Sequence, residues 1–161
     1  MSAARSAAVD RVASLAAEVA GYQRLLELLR AEQEALRVAD ADALASVAQA
    51  KLTQVYALQD LGGERMQAMR AEGCSVDAAG MLALLSHCAQ PERAREQWDL
   101  LVSLAARAQR QNALNARLAS VQQRHVDRAM AALWTAAGCA PTYGADGRSQ
   151  HHASPRSLAA I

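Results

Sequence analysis

Residues 8–44 read AVDRVASLAAEVAGYQRLLELLRAEQEALRVADADAL, and this stretch decides the fold. Ala8, Val12, Leu15, Val19, Tyr22, Leu26, Leu29, Gln33 and Leu36 follow one another at alternating steps of four and three. That spacing is an a/d heptad seam with one polar member, Gln33. Leu25 and Leu28 widen the stripe. The spacing predicts a helix over about residues 4–38, roughly 50 Å long at about 1.5 Å per residue. At Asp40-Ala41-Asp42 the seam lapses, and an aspartate there can accept backbone N–H bonds at the start of a new helix. A second helix is therefore expected over about residues 42–72, capped by Asp40 or Asp42. The short connection folds it back on the first as an antiparallel hairpin. Its apolar face comprises Leu44, Ala48, Leu52, Val55, Leu58, Gly62, Met66 and Met69. Gly62-Gly63 weakens this helix without ending it.

Proline sets the remaining boundaries. None occurs before Pro91, and only Pro141 and Pro155 follow. Gly73 suits the position after a helix end, and Ser75 can cap a short helix over about residues 76–87 carrying Met81, Leu82, Leu84 and Leu85. A third long helix is expected over about residues 91–136, because proline fits a helix's first turn and Gly138 and Pro141 end it. Its apolar or small positions include Trp98, Leu101, Ala105, Ala108, Leu118, Val121, Val126 and Leu133. The expected fold is all-α: a long antiparallel hairpin plus a third long helix in a coiled-coil-like three-helix bundle, with a short connecting helix. Residues 1–137 form the helical domain and residues 138–161, rich in Gly, Ser, His and Pro, a flexible tail.

Composition agrees with helix throughout. The 161 residues are 52% hydrophobic, much of it alanine, with 3% aromatics and no phenylalanine. Strands favour β-branched and aromatic side chains, which are scarce here. A net charge of +1 provides no general attraction for nucleic acid or membrane surfaces. No apolar run approaches the roughly 20 residues needed to span a bilayer. Three cysteines without C-x-x-C spacing fit a reducing cytoplasm better than a disulfide framework.

The candidate chemistry is sparse. His87-Cys88, Cys139 and His151-His152 are zinc-binding residue types, but zinc ligands normally gather at short fixed spacings. His87 and Cys88 point about 100° apart on a helix, which does not suit proton transfer. No nucleophile elbow, phosphate loop or zinc-protease motif occurs, so no enzyme activity, cofactor or metal is expected. Glu32, Glu34, Asp40 and Asp42 read as caps or solvated charges at the hairpin tip. Arg107, Arg110, Arg117, Arg124 and Arg128 read as a solvated helix face rather than a nucleic-acid stripe, because no aromatics alternate with them. Gln111, Asn112 and Asn115 form a polar group on the third helix, with Asn112 and Asn115 on one face. It can be a buried layer that fixes helix register or a strip that contacts a partner. Tyr143 stands in Thr142-Tyr143-Gly144-Ala145-Asp146-Gly147-Arg148, whose Ala-Asp-Gly is turn chemistry. It either packs back on the helices or anchors an interface.

Taken in order, these segments resemble the FlgN family of flagellar type III export chaperones. Leu25 to Leu36 is similar to the family's leucine-rich stretch, and Ala39-Asp40-Ala41-Asp42-Ala43-Leu44 to its linker into the second helix. Ala50-Lys51-Leu52 is similar to its lysine-marked segment. Gln111-Asn112-Ala113-Leu114-Asn115-Ala116-Arg117-Leu118 resembles an L-N-x-x-N-G-x-L pattern, with Gln111 for leucine and Ala116 for glycine. Residues 142–148 resemble a Y-G-x-D-G-x ending, and Ser157-Leu158 fits the close.

The resemblance implies a cytoplasmic chaperone whose partners are the hook-associated proteins one and three and the cytoplasmic domain of the export gate protein FlhA. Client contact is then expected at Asn112, Asn115 and Leu118, and gate docking at Tyr143, without membrane insertion. The alternative is a structural coiled-coil module that self-associates through its seams, and a homo-oligomer is compatible with either.

Overall fold

A computed structural model describes residues 2–137, 142–143 and 149–150, with side chains from 13 to 137. Four helices run in order: α1 (Ser2–Val38), α2 (Ala41–Ala71), α3 (Ala78–Ser86) and α4 (Pro91–Ala136). Two short strands, β1 (Thr142–Tyr143) and β2 (Ser149–Gln150), pair antiparallel with Thr142 opposite Gln150. The expected turn at Ala145-Asp146-Gly147 lies outside the described residues. So does the rest of the expected flexible tail. The chain divides into two compact units, residues 1–118 and residues 119–161.

The hairpin turn uses two residues. Asp40 N–H donates to Ala35 O at 3.0 Å and Ala39 N–H to Leu36 O at 3.2 Å, closing α1 in a Schellman motif. Asp40 then caps α2, its Oδ1 accepting from Ala43 N–H at 2.9 Å. Asp42 lies inside the first turn, at the positive end of the helix dipole. Ala39 sits at φ 56°, a left-handed conformation that costs an L-residue with a Cβ about 1–2 kcal/mol. Ala39→Gly should therefore stabilise the chain by about 1 kcal/mol after its greater unfolded-state entropy is deducted. Urea denaturation would show this as a higher midpoint at unchanged slope. At the far end of α2 the same motif recurs with a glycine, Gly73, at φ 69°. Gly73 N–H donates to Arg70 O and Cys74 N–H to Met69 O.

Helix α3 starts two residues later than expected, and its cap is Asp77 rather than Ser75. A carboxylate is the stronger acceptor. Asp77 Oδ1 takes the Gly80 N–H at 2.7 Å, and Ser75 Oγ donates to the same oxygen at 2.8 Å. The Gly80 bond, then the Ser75 bond, hold the Asp77 carboxyl below its ordinary range. Helix α4 opens on Pro91 in its first turn, and Ala94 N–H returns to Gln90 O at 3.0 Å.

In the first unit, α1 supplies the centre of the core. Leu15, Val19, Leu26, Leu29 and Leu36 of the expected seam are buried, joined by Leu25, Leu28 and Ala35. The seam's polar member is displaced by one residue: Gln33 is exposed and Glu32 is buried. Because α1 meets both α2 and α4, its buried arc is wider than a two-helix seam. Met81, Leu84, Leu85 and Cys88 come from α3 and the residues after it, and Ala94, Leu101, Leu104 and Ala108 from α4.

The closest helix approach is between α1 and α2. Gly21 permits it: a Cβ there would lie 2.7 Å from Leu58 Cδ2. Helix α2 continues through Gly62-Gly63, as expected, but buries only Leu58 and Met69 of its apolar face. Leu52 and Met66 on that face remain 46% and 37% exposed. That incomplete cover positions the site.

Candidate protein-binding groove

Two polar layers cross the first unit. In one, Glu18 of α1 is 2% exposed and accepts from Arg65 Nε of α2 at 2.9 Å. The Arg65 guanidinium lies 5.1 Å from the ring centroid of Trp98 on α4, a cation–π contact that links the third helix. In the other, Asn115 of α4 is 3% exposed. Its Nδ2 donates to Leu29 O at 2.7 Å and to Glu32 Oε2 at 2.8 Å, while its Oδ1 accepts from Gln111 Nε2 at 3.1 Å. Gln111 also donates to Gln33 Oε1 at 3.0 Å. Lys51 of α2, the chain's sole lysine, pairs with Glu32 Oε1. Each layer ties α1 to both α2 and α4. No buried side-chain nitrogen or oxygen among the described residues lacks a partner. Such satisfied layers cost little and fix register, because any slip leaves a charge buried and unpaired.

Between the helices lies an open groove of about 690 Å³ lined by Tyr22, Leu25 and Leu29 of α1, Lys51 and Val55 of α2, and Ala105, Ala108, Gln109 and Asn112 of α4. A second depression of about 450 Å³ shares Tyr22, Leu25 and Val55 and continues past Leu58 and Gly62 to Met66. The lining is mainly apolar. Small residues on α4, Ala105 and Ala108, leave the space open, and Lys51, Gln109 and Asn112 supply polar groups. A smaller depression of about 360 Å³ lies among Leu15, Ala68, Met81, Leu84 and Leu85.

The residues expected to contact a partner separate here. Asn112 is exposed and lines the groove, whereas Asn115 is enclosed one helical turn away, in the polar layer. Leu118 is half-buried. Tyr143 lies in β1, and its side chain is outside those described. Glu34 and Asp40 take the expected roles: Glu34 pairs with Arg37 on the surface at 2.6 Å, and the hydrogen bond from that guanidinium holds the Glu34 carboxyl below its ordinary range, while Asp40 caps. Glu32 does not. It is buried because Lys51 and Asn115 neutralise and bond it, and only tertiary pairing reveals that.

Glu18, Gly21, Arg65 and Gly80 were likewise silent in the sequence. Glu18 could have been suspected, since it falls beside the seam positions Leu15 and Val19. Of the metal-type residues, His87 Nδ1 lies 2.8 Å from Ala83 O and Cys88 is buried as a free thiol. Cys139, His151 and His152 lie outside the described residues. Among the described residues no three metal-ligating side chains gather, and no helix is long and apolar enough to cross a membrane.

The fold and groove define the class: an all-α bundle built on a long antiparallel hairpin, with an apolar channel left open between its helices. The chain belongs to the FlgN family, whose model, described as FlgN protein, matches residues 10–151. A solved structure of a flagella synthesis protein FlgN from Pseudomonas aeruginosa is similar to it at 26% identity and a TM-score of 0.63, covering 66% of this chain and 83% of that one. No curated protein matches the chain.

Proposed function

We propose that this chain is a cytoplasmic, non-enzymatic flagellar export chaperone for the hook-associated proteins one and three. The observation that carries this reading is the apolar groove beside Asn112, together with membership of a flagellar family. An amphipathic terminal segment of the client lays its apolar face over Tyr22, Leu25 and Val55 and takes the place of a missing helix. While seated there it cannot associate with its own kind. Ordering the segment costs entropy, which keeps affinity moderate and permits release. Asn112 and Leu118 contact the segment, and Asn115 acts beneath them by holding α4 in register. Residues 1–137 serve as the binding body. Tyr143 docks separately on the cytoplasmic domain of the export gate, so client and gate are engaged together.

The chain should co-purify with a hook-associated protein and lose it when the client's terminal helices are deleted. Retention of the truncated client would overturn the reading. Tyr143→Ala should weaken gate binding and leave client binding intact; equal loss of both would make Tyr143 structural. Exposed Val126, Met130 and Leu133 favour a second reading, self-association through residues 119–136. Light scattering separates the two, since tight oligomers without client affinity support only the second.

A further inference from the structure

The two polar layers recur at the same interval on both helices of the hairpin. Glu18 and Glu32 are 14 residues apart on α1, and their partners Arg65 and Lys51 are 14 apart on α2. Fourteen residues are two heptads, so each pair returns to one helix face, about 21 Å further on at about 1.5 Å per residue. Lys51 lines one part of the groove, Arg65 lines its continuation, and Tyr22, Leu25 and Val55 are common to both. The apolar floor thus extends for about four helical turns between two cations.

Both cations keep donors to spare. Among the described residues Lys51 Nζ bonds only Glu32, and the Arg65 guanidinium uses only Nε, toward Glu18. An ammonium has three N–H donors and a guanidinium five, so most remain unused. The two side chains are 24% and 23% exposed, within reach of an incoming segment. A helix that seats on the apolar floor covers these donors, and a covered donor without an acceptor weakens binding. Charge decides which acceptor fits. Glu18 and Glu32 already cancel the two cations, so a carboxylate would bring an unbalanced charge into a mainly apolar channel and lose its hydration. The side-chain amide oxygen of glutamine or asparagine fills the donors and adds no charge.

We propose that the groove takes a client helix of about four turns whose apolar face carries two amide side chains 14 residues apart, one bonded to Lys51 and one to Arg65. This rests on the groove reading and adds the length, register and polar chemistry of its occupant.

The test uses the full chain and fluorescein-labelled synthetic helices of 22 residues with a leucine face. One carries glutamine on that face at positions 4 and 18. Its counterparts carry methionine at both, glutamate at both, or glutamine at positions 4 and 16, which turns the second amide off the face. By anisotropy the 4/18 glutamine helix should bind about tenfold tighter than each of the others. Lys51→Met/Glu32→Met removes one ion pair without stranding a charge, and should cut the preference over the methionine helix to about threefold. Equal binding of the glutamine and methionine helices, tighter binding of the glutamate helix, or indifference to spacing overturns the proposal. These comparisons are made on the native chain and need no variant to fold. Protection of Lys51 from an amine-reactive ester reports whether a helix sits in the groove. Helices that protect Lys51 without preferring glutamine overturn the proposal and leave the groove reading standing. A client segment that binds and leaves Lys51 unprotected overturns both.

Discussion

Gly80→Ala should destabilise the fold by about 3 kcal/mol, a magnitude typical of forced overpacking combined with a lost helix cap. A Cβ at this position would lie 1.9 Å from Ser75 O and 2.7 Å from Ser75 C. The obstacle is backbone, so no rotamer change relieves it. Moving the Ser75 carbonyl disturbs the two bonds to Asp77 that start α3. Met81, Leu84 and Leu85 then lose their anchorage in the core. Alanine's helix preference returns about 1 kcal/mol, too little to offset this. Gly63→Ala is the matched control: nothing lies within 4 Å of its added Cβ, so it should gain about that amount. Thermal melts of the two variants should move in opposite directions. Equal shifts would contradict the α3 geometry.

Asn115→Asp should cost about 3–5 kcal/mol at neutral pH, the range for an uncompensated buried charge. The substitution keeps size and shape but places a carboxylate where an amide donated to Glu32 and to Leu29 O. Two buried carboxylates cannot both ionise in contact, so the pair binds a proton more tightly than in the unfolded chain. With the folded pKa raised, the penalty is smallest below the unfolded carboxylate range. It grows as pH rises through the folded value. The variant should therefore recover part of its stability near pH 5, unlike the native chain. A pH-independent loss would mean that Asn115 contributes only packing.

Helix positions were largely legible because their signals are local. Proline's absence before Pro91, the spacing from Leu15 to Leu36 and the aspartate at residue 40 act through backbone and nearest turns. The α3 cap was misplaced by two residues, since Ser75 and Asp77 compete and only geometry shows the carboxylate winning. The groove was less legible. Leu52 and Met66 read as core from their periodicity, yet they stay exposed because no described residue covers that side of α2. A pattern marks a face as apolar without saying whether this chain or another buries it. Asn112 and Asn115 show the same limit: three residues apart in sequence, one opens to the groove and the other is sealed in a layer with Glu32 and Lys51. Glu18 and Arg65 are 47 positions apart and had no local sign of their pairing.

Lys51 permits the most direct test of the central claim, that a client segment seats in the groove. Its amine is the only lysine amine in the chain, and its side chain is 24% exposed on the groove wall. The measurement is the rate of Lys51 acylation by an amine-reactive ester, followed by peptide mass spectrometry, with and without the terminal segment of a hook-associated protein. The rate should fall severalfold when the segment is bound, while labelling of the N-terminal amine is unchanged. Saturating client with an unchanged Lys51 rate would place the client elsewhere and contradict the account.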